Sequence, residues 1–133
     1  MHYSAKLIDH FMNPRNVGRI PDADGIGRVG DPACGDILMV WITVEDEHLA
    51  RVTFKCRGCP AAIATSSAMT ELAKGMHLDD AAELSPDRIE EAVGGLPDEK
   101  RHCSNLGAAA LQDAIMSYIW GSLGVTPPPD ADA

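Results

Sequence analysis

The stretch from Phe54 to Ser67, "FKCRGCPAAIATSS", decides how this chain folds. Leu49 to Lys55 is rich in β-formers. Pro60 stands where a first helical residue would, and Gly75 lies just past a run of Ala, Thr and Ser. A strand therefore hands over to a helix at Cys59, and the predicted helix runs from Pro60 to Lys74. Its small residues let other backbone approach closely. Cys56 and Cys59 form a Cys-x-x-Cys pair, a spacing open to a zinc clip, a redox pair, a nucleophile or part of a larger metal site. A thioredoxin-like pair should open a helix inside a βαβ unit, and no parallel sheet is evident here.

Working outward, Ile37 to Val44 is a second β-rich run, with Glu45-Asp46-Glu47 as the turn of a hairpin. Tyr3, Leu7, Ile8 and Phe11 recur at helical spacing, so residues 4–12 read as an amphipathic helix that ends at Asn13-Pro14. Residues 13–35 are rich in Gly and Pro and read as loop, with a short strand at Arg28-Val29. Downstream, Leu78 to Leu84 is a short helix. Ser85 caps another over 86–93, stopped by Gly94-Gly95. Leu106, Ala110, Leu111, Ala114, Ile115, Tyr118 and Ile119 form the stripe of a last helix over 103–121. Met39, Met69 and Met116 are expected to fill core gaps, and Met76 to be partly exposed. Strands first and helices after predict an α+β domain, with about three antiparallel strands packed against several helices. The domain is expected to span 1–124, and the Pro- and Asp-rich tail 125–133 to be disordered.

The chain has 133 residues, 11 Lys and Arg against 20 Asp and Glu, and a net charge of -9. One domain with a modest core fits that length. No block of cations supports non-specific nucleic-acid binding, and no run approaches a membrane span. Polar residues occupy the N-terminus where a signal peptide needs an apolar core, so a cytoplasmic protein is expected. Reduced thiols in that compartment point the four cysteines toward metal or catalysis before disulfides.

Those cysteines fall where chemistry wants them. Cys34 sits in a loop, Cys59 at the strand–helix junction and Cys103 at the start of the last helix. The positive end of a helix favours a thiolate. Asp36 shares a side with Cys34 if the backbone is extended, as a fourth ligand, a proton acceptor, or a carboxylate held in a turn. His102, beside Cys103, is a candidate ligand or a solvent-facing side chain. His10 reads as structural, Lys100 as a solvated lysine near the site, and Cys56 as a strand residue outside it. A cysteine enzyme using His102 as base for Cys103 is disfavoured, because neighbouring helical side chains do not face one another. A structural zinc protein remains open.

The segments "HFMNPRNVG" (10–18), "VGDPACGD" (29–36), "FKCRGCPAAIATSSAMTELAKG" (54–75) and "GGLPDEKRHCSNLGAAAL" (94–111) together resemble the iron–sulfur cluster scaffolds of the IscU type and the N-terminal module of NifU. The resemblance implies an α+β fold with its metal site at one exposed end. It implies a non-enzymatic scaffold that assembles [2Fe–2S] clusters, with Cys34, Cys59 and Cys103 as ligands and Asp36 keeping the cluster transferable. His102 and Lys100 lie where this family places further ligands or modulators. Implied partners are iron, a pyridoxal-phosphate cysteine desulfurase supplying persulfide sulfur, and apo acceptor proteins. A ferredoxin and a heat-shock chaperone come with the resemblance too, but "LPDEK", Leu96 to Lys100, departs from the "LPPVK" such a chaperone recognises. Zinc can occupy the same ligands in purified protein, and a zinc-bound sulfur acceptor is the alternative reading. A monomer or a cluster-linked dimer is expected, standing alone without further NifU modules. Cys56 is an addition to the family pattern.

Overall fold

The computed structural model describes residues 2–31 and 35–124. Three antiparallel strands, β1 (Gly25–Asp31), β2 (Asp36–Glu45) and β3 (His48–Arg57), lie in the order β1-β2-β3. The β2–β3 hairpin closes at Glu45 opposite His48, so its turn is Asp46-Glu47 alone, with φ of 50° and 62°. Left-handed backbone at both turn positions matches the twist of a tight hairpin, although Gly or Asn usually supplies it.

β1 is the main difference from the sequence reading. Residues 25–31 form a full strand where only Arg28-Val29 was expected. The glycines that suggested a loop are what make the strand fit. A Cβ at Gly25 would lie 2.2 Å from the Ala114 carbonyl oxygen, and one at Gly27 would lie 2.1 Å from that of Ala110. The last helix, α5 (His102–Ser122), therefore rests directly on β1 backbone. It also caps the outer edge of the strand: Arg28 N–H donates to Asp113 Oδ2 at 2.9 Å and Ile26 N–H to Ser117 Oγ at 3.4 Å. On the opposite edge, Phe54 N–H donates to Asn16 O and Gly18 N–H to Phe54 O.

The inward positions of the sheet, Leu38, Val40, Ile42, Val52 and Phe54, pack with Met69 of α2 (Pro60–Ala73) and with Leu106, Leu111, Ala114 and Ile115 of α5. α2 is buried along most of its length. Its hydroxyls stay satisfied by bonding back into their own helix, Thr65 Oγ1 to Ala61 O at 2.8 Å and Ser66 Oγ to Ala62 O at 2.7 Å. α3 (Leu78–Ala82) and α4 (Pro86–Ala92) are short, and Ser85 caps α4 as its sequence suggests. Met69 is fully buried, while Met39 and Met76 are half-buried. Met116, expected in the core, is 46 % exposed because it falls off the buried stripe of α5.

The 10–18 segment ties α1 (Ala5–Met12) to α2. The Ser67 hydroxyl accepts from Arg15 N–H at 2.9 Å and pairs with His10 Nδ1 at 2.8 Å, while His10 Nε2 faces Glu71 Oε1 at 3.6 Å. The grouping has the residue types of a hydrolytic triad, but Ser67 is fully buried, so it is a structural latch. Asn16 Nδ2 adds a bond to Thr70 Oγ1 at 3.1 Å.

Two stability predictions follow from these placements. Glu47→Gly relieves left-handed strain in the turn and raises the unfolding midpoint, by up to ~1 kcal/mol of stability. His10 is held below its usual 6.5, first by burial and then by the Arg15 charge. The unfolded chain therefore takes up this proton first as pH falls. Stability contributed by neutral His10 is present above about 6.5 and is lost as pH drops toward the lower folded value. Urea unfolding at pH 7.5 and 5.5 should show a smaller difference in His10→Asn than in the unaltered chain.

Candidate metal centre

Three elements converge at one end of the sheet, where β2 begins and β3 ends. Asp36 is the first residue of β2 and faces inward, buried. Cys59 is the N-cap of α2 with extended backbone, and Cys103 is the second residue of α5. Cys59 Sγ lies 3.8 Å from Asp36 Oδ2 and 3.8 Å from Cys103 Sγ. One ligand atom from each of Asp36, Cys59 and Cys103 lies within 4.8 Å of the others, and among the described residues these three form the group that could hold a metal ion. Two thiol sulfurs and a carboxylate oxygen fit a thiophilic divalent ion or an iron–sulfur unit.

Burial reverses one expectation. The helix N-terminus was expected to favour the Cys103 thiolate, yet Cys103 is fully buried and its thiol is pushed up to about 12. Desolvation is the largest cause, followed by the nearby Cys59 and Asp36, with Lys100 pulling the other way. A bound cation supplies the charge that lets these donors ionise together, so binding must release protons. Asp36 and Cys103 are buried, while Cys59 is half-buried.

His102 Nε2 lies 3.7 Å from Cys103 Sγ, so these chain neighbours meet at the first turn of α5 although neighbouring helical side chains were expected not to face one another. His102 stands beside Cys103 and outside the mutual group of three. Lys100 is half-buried, less solvated than expected. Cys56 points to the inward face opposite Leu38, and its thiol is raised to about 11 by burial and by Asp36. It is not in the ligand group. Cys34 lies outside the described residues.

Gly58 is the residue sequence reading missed. A Cβ there would lie 2.7 Å from Asp36 Oδ1 and 2.8 Å from its Cγ. The bare backbone before Cys59 makes room for the Asp36 carboxylate. Its signal was a glycine at a strand–helix junction, masked by the cysteines on either side.

Residues 2–121 match the NifU-like N terminal domain. The chain belongs to that family. Iron-sulfur cluster assembly scaffold protein IscU 1 of Archaeoglobus fulgidus is 53% identical over 117 residues, covering 88% of this chain and 76% of the relative. Its Escherichia coli counterpart is 46% identical over 122 residues, covering 89% and 94%. Among solved structures, a NifU-like N-terminal protein from Brucella abortus superposes with a TM-score of 0.70 at 18% identity, covering 87% of this chain and 93% of that one. That similarity bears on the fold, and it agrees with the NifU-like architecture seen here.

Cobalt(II) titration followed by thiolate-to-metal absorption tests this candidate centre. Cys59→Ser and Cys103→Ser should each abolish the bands, and Cys56→Ala should leave them unchanged. Gly58→Ala should weaken binding by about 10-fold, like the loss of a group that orients a ligand.

Proposed function

We propose that this chain is a scaffold on which [2Fe–2S] clusters are built and from which they pass to apo acceptor proteins. The observation that carries the reading is the convergence of Cys59, Cys103 and Asp36 from three separate elements onto one small volume. It stands in a chain 53% identical to a protein named as an iron–sulfur cluster assembly scaffold. On this reading the cluster is cargo. Cys34 supplies the third thiolate from the segment leading into Gly35 and Asp36, and His102 is an auxiliary donor beside Cys103. The protein acts stoichiometrically, in the cytoplasm, as a domain spanning 1–124 followed by the acidic tail.

Each donor has a distinct part. Cys59, half-buried, is the reachable sulfur and the entry point. Cys103, buried and with its thiol pushed up, gives up its proton as iron arrives, with Lys100 easing the change. Asp36 binds through oxygen, a weaker match to iron beside sulfide than a thiolate. That weakness keeps the cargo removable. A pyridoxal-phosphate cysteine desulfurase delivers sulfur as persulfide onto a scaffold thiolate. Zinc takes the same donors, and in purified protein it stands in for iron at this site.

Anaerobic reconstitution with ferrous iron, cysteine and a cysteine desulfurase should give visible iron–sulfur absorption, with iron and acid-labile sulfide in equal amounts. Asp36→Cys, which exchanges the oxygen donor for a thiolate, should hold the cluster longer and slow its transfer to an apo-ferredoxin. Zinc binding with no cluster under these conditions would move the assignment to a zinc-bound sulfur acceptor.

A further inference from the structure

The Cys-x-x-Cys spacing couples Cys56 to Cys59 in sequence, but the structure gives Cys59 another partner. Cys56 lies inward opposite Leu38 and hydrogen-bonds with the Ser66 hydroxyl. The sulfur that meets Cys59 belongs to Cys103, 44 residues further along the chain and 3.8 Å away. At that separation two thiols touch without being bonded. A disulfide needs about 2.05 Å, so closing the 3.8 Å gap asks the two sulfurs to approach by roughly 1.8 Å in all, the scale of a side-chain rotation.

The surroundings permit that rotation and hold the two backbones in place for it. Cys59 is the N-cap of α2, yet its side chain makes no capping bond. Ala61 and Ala62, both buried, pack in one cluster with Cys103, and the Thr65 hydroxyl of α2 donates to Cys103 O at 3.4 Å. The starts of α2 and α5 are therefore held together by their own contacts. The sulfurs also differ in reach. Cys59 is half-buried and Cys103 fully buried. An oxidant from solvent meets Cys59 first, with Cys103 shielded behind it. A reachable thiol backed by a resolving thiol makes oxidation reversible, whereas an unbacked one goes on to sulfinic acid, which dithiols do not reverse.

We propose that Cys59 and Cys103 are a modification site: when the centre carries no metal, a hydroperoxide converts them to a reversible disulfide that closes the centre to metal. The Cys59 sulfur attacks the O–O bond of the peroxide and becomes a sulfenic acid, while its proton passes to the departing oxygen, which leaves as alcohol or water. The Cys103 sulfur then attacks the sulfenic sulfur, the S–S bond forms and water leaves. Together the two thiols lose two electrons, and the broken O–O bond takes them. A dithiol restores both thiols by exchange. Metal and bridge use the same two sulfurs, so each excludes the other. A loaded centre is protected from peroxide, and an oxidised one takes no cargo. The inference stands on the sulfur geometry and holds whether the centre carries an iron–sulfur unit or zinc.

The test treats the full chain with hydrogen peroxide, once after a chelator has removed metal and once loaded with cobalt(II). Remaining thiols are blocked with N-ethylmaleimide and the cysteines are mapped by mass spectrometry. The expected result for the metal-free chain is a peptide pair joined through Cys59 and Cys103, with loss of the cobalt absorption on later titration and its return after dithiothreitol. The cobalt-loaded chain should form no such pair. Cys56→Ala, which keeps both sulfurs, should form the bridge as the unaltered chain does. In Cys103→Ser the expected product is Cys59 sulfinic acid, with no recovery by dithiothreitol. The mapping in the unaltered chain decides the proposal whether or not that last variant folds. A bridge from Cys59 to Cys34 or Cys56, or Cys59 sulfinic acid in the unaltered chain, overturns it. So does a Cys59–Cys103 bridge that forms as fast in urea, which would make the pairing random, or as fast with cobalt bound, which would mean that metal and bridge do not compete.

Discussion

The seating of α5 on the bare backbone of β1 is the contact on which the site depends. Carbonyl oxygens of Ala110 and Ala114 occupy the space that side chains at Gly27 and Gly25 would fill. That fixes the height of α5 above the sheet, and with it the depth of Cys103 at the N-terminal end of the helix. α2 is set in the same way by small residues, with the Ser67 latch holding α1 and the 10–18 segment against it. Close approach of backbone to backbone, more than bulky apolar filling, is what brings two sulfurs and a carboxylate together. The scarcity of aromatic residues, 5% of the chain, accords with a core built this way.

Much of the fold was legible because local chemistry and tertiary packing agreed. Pro60 did open a helix, Ser85 did cap one, and the β-rich run from Ile37 to Val44 did mark a strand. β1 was not legible. A glycine-rich strand carries no apolar alternation, and its reason for being a strand lies in α5, some eighty residues away in sequence. Met116 failed for a related reason: residue type suggested core, but position around the helix decided exposure.

The site divided along the same line. Cys59, Cys103 and Asp36 could be named from their places at element ends, and the structure brings them together. Their electrostatics could not be read that way, because a helix dipole acts locally while desolvation depends on what the rest of the chain buries. For Cys103 burial dominates. Gly58 stayed invisible because its function is an absence, the missing Cβ that leaves Asp36 its room.

The caps that α5 places on β1 have a further consequence. A free sheet edge offers main-chain donors and acceptors to any extended segment that comes by, whatever its side chains. Here Asp113 and Ser117 occupy donors on that edge, and the opposite edge is taken by residues 16–18 and 75–76. Strand addition, the least selective way for one chain to join another, is thereby discouraged. Visitors to this protein must be recognised by their side chains, which lets a small molecule receive several in turn without becoming trapped by any one of them.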